Sequence, residues 1–252
     1  MGTLASGATR PVLVIGGTRG TGRLIVERLV AGGVPVRVLA RNAERARAEL
    51  PSAIEIILAD LTKKETLASP MAGARHIICT AGRRSGHPAT ERQIRAVEFD
   101  GVLNALAAAK TAGFAGRFMY MTASSVTGRS FATMALNFYK GNTLKWRARL
   151  EDEIRASGVE YTIIRAGVLL NREGGRREVI ATQTPLSLSL FHRIARADVA
   201  DAFVAALEHP RARNATFDIV WGKGPRRASW SDLLAALNPD PDDAGPRSQG
   251  VT

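Results

Sequence analysis

The chain has 252 residues, 45% of them apolar, which is enough for one large α/β domain with its own core. Nothing in it approaches the roughly 18 consecutive apolar residues of a membrane span, and its single cysteine, Cys79, excludes an intrachain disulfide and suits a reducing, cytoplasmic setting. The formal net charge is +12, yet 29 of the 35 basic residues are arginines scattered along the chain and aromatic residues make up only 6%, so no specific nucleic-acid partner is expected.

Apolar runs bounded by turn residues predict strands at 12–15, 34–40, 54–58, 76–79, 118–121 and 161–164. Between them lie helical patterns at 21–31, 43–50, 91–112 and 143–157, with Gly113, Gly116 and Gly158 placed as C-terminal caps. Strands that alternate with helices imply a doubly wound parallel sheet covered on both faces. Beyond residue 164 the regularity weakens to a turn at Gly174-Gly175, a helix at 198–207, a strand at 215–220 and a short helix at 231–237. One domain over 11–238 is expected, with a small substrate-side region from about 168 to 238. A flexible 1–10 and a tail at 239–252, rich in Pro, Asp and Gly, flank it.

The first strand runs into a bare loop: VLVIGGTRGTGRLIVERL, residues 12–29. In a parallel sheet the turn after the first strand is where a pyrophosphate sits on a helix N-terminus. Gly16 would permit the tight turn, Gly20 the close approach of backbone to phosphate, and Gly22 the packing of helix on strand. Gly17, Thr18, Arg19 and Thr21 complete the loop. The spacing is G-x-x-x-G-x-G rather than G-x-G-x-x-G, but strand, loop, helix and second strand succeed one another at the distances that dinucleotide binding requires.

At this point the chain resembles the short-chain dehydrogenase/reductases, and more closely their atypical, NmrA-like NAD(P)H-binding branch. The resemblance covers about residues 11–237 and rests on VLVIGGTRGTG, ADL at 59–61, TAG at 80–82, EFDGVLNALAAAK at 98–110, FMYMTASS at 118–125, LEDEIRASGVEYTIIRAG at 150–167 and RIARADVADAFVAAL at 193–207. It implies a Rossmann-like fold in which Asp60 and Leu61 border the adenine, Thr80, Ala81 and Gly82 its ribose side, and Ala166, Gly167 and Val168 the nicotinamide. The second strand ends VRVLAR without the acid that bonds the ribose hydroxyls of NAD, and Arg41, together with Arg19, is placed to receive a 2′-phosphate. NADP(H) is therefore expected over NAD(H).

Hydride-transferring members of the family commonly use a Tyr-x-x-x-Lys pair, which this sequence lacks. Aligned on LEDEIRASG, Thr143 stands where the tyrosine would be and Arg147 where the lysine would be. Arg147 would bond the nicotinamide ribose, whereas a threonine hydroxyl is too weak an acid to replace the phenol. Tyr139 and Lys145 are nearby alternatives, and Ser124 and Ser125 are placed as substrate-side hydroxyls. His76, His87, His192 and His209 lack metal-ligand spacing and are expected to be structural, and no metal site is expected. Arg196 and Asp198 match the start of the family's C-terminal helix, with Asp198 expected to cap or pair. Two functions follow as expectations. The first is an NADP(H)-dependent oxidoreductase acting on a small carbonyl or hydroxyl substrate. The second is a non-catalytic NADP(H) sensor that reports to a protein partner. Either would be a monomer or homodimer without membrane association.

Overall fold

The computed structural model describes residues 10–82, 90–124, 142–187, 189–226 and 228–241. Runs rich in branched and aromatic side chains form β1 (Val12–Ile15), β2 (Val36–Ala40), β3 (Glu55–Leu58), β4 (His76–Cys79), β5 (Phe118–Ala123) and β6 (Tyr161–Ala166). They pair in parallel in the order β3-β2-β1-β4-β5-β6. The sheet then continues through parallel β10 (Ala215–Pro225) to an antiparallel edge strand, β8 (Arg177–Thr182). A separate parallel ribbon joins β7 (Val168–Leu170) to β9 (Arg193–Ala195).

Among the described residues the α-helices are α1 (Gly20–Ala31), α2 (Ala43–Glu49), α3 (Ala68–Met71), α4 (Glu91–Arg95), α5 (Gly101–Thr111), α6 (Thr143–Arg155), α7 (Arg196–Ala206) and α8 (Trp230–Ala235). Because side chains alternate along a strand, each buried strand feeds two cores. Val12, Val14, Val38, Ile78, Met119 and Ile164 meet Ile25 and Leu29 of α1 and Phe203 of α7 on one face. Leu13, Ile15, Ile77, Phe118, Tyr120 and Ile163 meet Val102 and Leu106 of α5 and Leu150 and Ile154 of α6 on the other. This is the doubly wound α/β arrangement expected, and strand order reverses at β1/β4, where the carboxyl ends open a crevice.

Four features depart from the sequence pattern. The helix expected at 91–112 is interrupted by a π turn at Ala96–Asp100, which leaves the apolar stripe readable as one helix and so stays hidden. Strands β7, β8 and β9 leave no clear mark in the sequence because they are short or largely exposed and carry little alternation. Asp240, in the stretch expected to lack structure, accepts from Thr216 N (2.9 Å), Tyr161 Oη (2.9 Å) and Arg155 Nε (3.3 Å), while residues 242–252 lie outside the described set. Gly113 and Gly158 take the left-handed conformation after their helices, with φ of 69° and 73°, but Gly116 does not. Instead a Cβ at Gly116 would stand 1.7 Å from the Arg75 carbonyl oxygen, so glycine there permits two backbones to touch.

The two glycines make a test of this distinction. Gly113→Ala, with open space around the Cβ position, should cost about 1 kcal/mol through its left-handed backbone alone. Gly116→Ala must displace backbone and should cost several times as much, on the scale of severe core substitutions at about 3 kcal/mol or more. Urea denaturation of the two variants checks the order.

Candidate functional site

The crevice at the carboxyl ends of the strands is a cavity of about 1020 Å³. One wall is the loop after β1. Gly16 and Gly20 have φ of 83° and 56°, which turn the chain sharply into α1. A Cβ on Gly22 would fall 2.2 Å from the Gly16 carbonyl oxygen and 2.5 Å from Thr80 Oγ1, so only glycine allows the first turn of α1 to sit against the strand end. Gly17 does not line the cavity: its Cβ position faces Val14, Val26 and Val38, so its place is in the core.

Helix α1 begins without a side-chain cap at Arg19 and without an acid in its first turn. Its leading N–H groups therefore face the cavity as an anion site. Thr21 is 3% exposed, lines the cavity, and among the described residues its Oγ1 has no hydrogen-bond partner. A buried hydroxyl left orphaned is unfavourable unless a ligand completes it. The cradle and the orphan together fit a dinucleotide diphosphate.

Around this wall the cavity collects most of the expected residues: Gly16, Thr18, Arg19, Gly20, Thr21, Gly22, Arg41, Asp60, Leu61, Thr80, Ala81, Gly82, Arg147, Ala166 and Gly167 all line it. Arg41 and Arg19 are exposed at its rim. Burial pushes the Asp60 carboxyl up, but Thr62 donates to it from both N (2.9 Å) and Oγ1 (2.8 Å) and Arg41 and Lys63 lie near, so it ends below its ordinary value. Thr80 Oγ1 lies 3.3 Å from the Ile15 carbonyl oxygen, closing β1 to β4 behind the glycines.

The far end of the cavity departs further from expectation. Arg147 is mostly buried and donates from Nε to Glu98 Oε2 at 2.9 Å. Burial alone would lower its pKa, but the Glu98 carboxylate outweighs this and holds the guanidinium charged. Glu98 belongs to the π turn, as does Val97, which lines the cavity. Such turns re-aim side chains without breaking a helix. Ser124 does not line the cavity: it is 8% exposed, its N donates to the Ala166 carbonyl at 2.8 Å, and its hydroxyl lies 3.4 Å from the Arg165 carbonyl. Met121, Thr122 and Ala123 take that position instead, and among the described residues the Thr122 hydroxyl, fully buried, is without a partner. Lys145 is exposed, with Nζ 5.6 Å from the centre of the Trp146 ring, and Val168 is 41% exposed; neither lines the cavity. Tyr139, Ser125 and His87 lie outside the described residues.

Leu169, Asn171 and Arg196 also line the cavity; no sequence motif marks the first two, and Arg196 lies in the RIARADVADAFVAAL stretch at the start of α7 without being singled out there as a binding residue. Asp198 accepts from Gly175 N (2.6 Å) and Trp221 Nε1 (2.8 Å), and thus pairs as expected rather than facing the cavity. His76 is structural: Arg117 N donates to its Nδ1 at 3.0 Å, and its Nε2 lies 2.9 Å from Glu208.

Behind Thr122 the strand register aligns Thr122, Arg165 and Asp218 across β5, β6 and β10. Arg165 Nη2 bonds Glu151 Oε2 at 2.6 Å and its Nη1 lies 3.9 Å from Asp218 Oδ2. Burial pushes the Asp218 carboxyl up to about 6, against the pull of the Ser124 hydroxyl and the Arg165 charge. An acid whose pKa is higher folded than unfolded stabilises the fold while it is protonated. That stability is intact below the ordinary value of 3.8 and lost as pH rises through about 6. Asp218→Asn stays neutral throughout, so its stability relative to wild type should improve between about pH 4 and pH 7 by up to roughly 3 kcal/mol. Urea denaturation at the two pH values measures this, and a difference independent of pH would contradict it.

Among the described residues no helix is long and apolar enough to cross a membrane. A family model described as NAD(P)H-binding matches residues 16–210. Sanguinarine reductase of Eschscholzia californica is 46% identical over 80 residues, which are 31% of this chain and 29% of that protein's length. The Bacillus subtilis protein YhfK, described as an uncharacterized sugar epimerase, is 32% identical over 193 residues, covering 75% of this chain and 84% of its own. A solved structure from Bacillus halodurans, described as a putative NAD-dependent epimerase/dehydratase, superposes with a TM-score of 0.75 at 22% identity, covering 90% of this chain and 100% of the other. The uncapped glycine turn, the orphaned Thr21 and the family match over most of the chain agree, and the protein is a member of the NAD(P)H-binding family.

Proposed function

We propose that the protein is an NADP(H)-dependent oxidoreductase that moves hydride to or from a small carbonyl or hydroxyl substrate in a cytoplasmic setting. The observation that carries this reading is the composition of the cavity. Its glycine-loop end is ringed by Arg19 and Arg41 with no acid at the end of β2, and its far end is closed by Thr122, Ala166, Gly167 and Arg147. A ribose bearing a 2′-phosphate suits the first end, since an arginine fork bonds phosphate oxygens in pairs. The reductase name of the relative from Eschscholzia supports the reaction type.

When bound, the reduced dinucleotide supplies the hydride. The chain's residues supply position and charge. Arg147, oriented by Glu98, holds a fixed positive charge at the nicotinamide end and bonds the ribose there. It stays protonated, so it donates no proton to the substrate. The substrate lies beside Thr122, a cavity-lining residue whose buried hydroxyl has no partner among the described residues, rather than beside Ser124, which does not line the cavity. Ala166 and Gly167 leave the space beside them free of bulky side chains.

The missing Tyr-x-x-x-Lys pair favours a second reading, a non-catalytic NADP(H) sensor with a protein partner. Turnover of NADPH against a panel of carbonyl compounds separates the two. The oxidoreductase reading predicts consumption of NADPH with at least one compound. Thr122→Val should then lower kcat with NADPH affinity kept, and Arg147→Ala should lower both. A sensor shows no turnover, and NADPH instead changes protease sensitivity or oligomeric state.

Cofactor choice has its own test. Arg41→Ala removes a charge-assisted contact and should weaken NADPH roughly tenfold to a hundredfold while leaving NADH nearly unchanged, by calorimetric titration. Equal wild-type dissociation constants for NADPH and NADH would refute the NADP(H) assignment.

A further inference from the structure

We infer that Arg196, the first residue of α7, is a diphosphate-binding residue that closes over the glycine loop from the opposite side of the cavity. The inference rests on the dinucleotide reading and adds to it a residue from the C-terminal part of the chain, far from the glycine motif in sequence.

Arg196 lines the cavity. A Cβ placed on Gly20 would lie 3.6 Å from its Nε and 3.9 Å from its Cδ, so the guanidinium stands over the start of α1, with only the bare glycine beneath it. The side chain is held by neutral groups: Nη1 donates to the Leu169 carbonyl at 3.2 Å and to Asn171 Oδ1 at 2.9 Å. These bonds orient the cation without neutralising it. Among the described residues no carboxylate lies within ion-pair distance of Arg196, whereas Arg28, Arg37, Arg117, Arg147 and Arg165 each have one. Burial is also the cause that lowers its pKa.

A half-buried cation without a counter-ion is unfavourable, and an anion placed beside it relieves that cost. On the facing side, the buried Thr21 hydroxyl lacks a partner among the described residues and the leading N–H groups of α1 are uncapped. Arg196 and the first residues of α1 line one volume, and the anion of a dinucleotide at the glycine loop is its diphosphate. The 2′-phosphate belongs at the end of β2, beside Arg41. An ion pair between Arg28 of α1 and Asp201 of α7 ties the two helices together, so the walls on both sides of the diphosphate are braced against each other.

The diphosphate is common to NADPH and NADH, and this makes the test specific. By calorimetric titration, Arg196→Ala should weaken NADPH, NADH and ADP-ribose by the same factor, roughly tenfold to a hundredfold. Arg196→Lys, which keeps the charge but not the fork, should fall between. The ligand-free Arg196→Ala protein should melt no lower than wild type, because an uncompensated cation has been removed. Its thermal shift on adding NADPH should shrink. Unchanged affinities would overturn the assignment, as would a loss confined to NADPH, which would place Arg196 at the 2′-phosphate. A lower melting temperature with binding intact would make its role structural and equally overturn it. If wild type binds neither nucleotide, the dinucleotide reading fails first. If Arg196→Ala does not fold, Arg196→Lys and Arg196→Gln carry the same comparison of NADPH with NADH, and equal affinities to wild type in both overturn the assignment.

Discussion

The tightest constraint on the nucleotide turn is the contact between Gly22 and the Gly16 carbonyl, where a Cβ would stand at 2.2 Å. That contact sets how near the first turn of α1 comes to the end of β1. Thr80, at the end of β4, leans on the same point, with its Oγ1 2.5 Å from the Gly22 Cβ position and 3.3 Å from the Ile15 carbonyl. The crevice between β1 and β4 therefore has a narrow base and a wall of uncapped N–H groups. A larger residue at 22 would push α1 outward, and Ile25, Val26 and Leu29, buried on the sheet by that helix, would follow it.

Charge inside this arginine-rich chain is handled in two ways. Most buried or half-buried arginines are matched: Arg165 with Glu151, Arg117 with Glu160, Arg155 with Asp240. These pairs tie α6 to β6 and to the segment at Asp240, and the lead-in of β5 to that of β6. Breaking a pair leaves a charge in low dielectric, which makes the unions hard to loosen one partner at a time. The cations that line the cavity are treated differently. Arg19 and Arg41 stay at the wet rim and Arg196 is steered by neutral acceptors, so positive charge is left to face the space a dinucleotide would fill.

The π turn at Ala96–Asp100 supplies the exception, because it directs Glu98 onto Arg147. One carboxylate and one arginine are thus paired at this end of the cavity. The pair fixes the direction of the guanidinium and keeps it charged.

Much of the fold is legible in the sequence, since the alternating apolar runs, the glycine loop and the helix stripes are local patterns with local causes. Val12 to Ile15, the turn at Gly16 and the stripe Ile25, Val26, Leu29 follow from chain geometry within a few residues. The residues around the glycines, and Arg147 by its helix spacing, are legible for the same reason. Features that depend on contacts between distant segments are not. Gly116 looks like a helix cap until Arg75 is laid against it, and Ser124, expected on the substrate side, is set against the Ala166 and Arg165 carbonyls by the pairing of β5 with β6. Glu98 and Arg196 are ordinary charged residues on helices until a π turn and the docking of α7 bring them to Arg147 and Gly20. Sequence alone determined the layered sheet and its nucleotide-binding turn, because those are written in periodicity and glycine spacing. Only the tertiary structure decided which charges are matched within the fold and which remain facing the cavity, because a charge's partner is set by distances across the chain that no local pattern encodes.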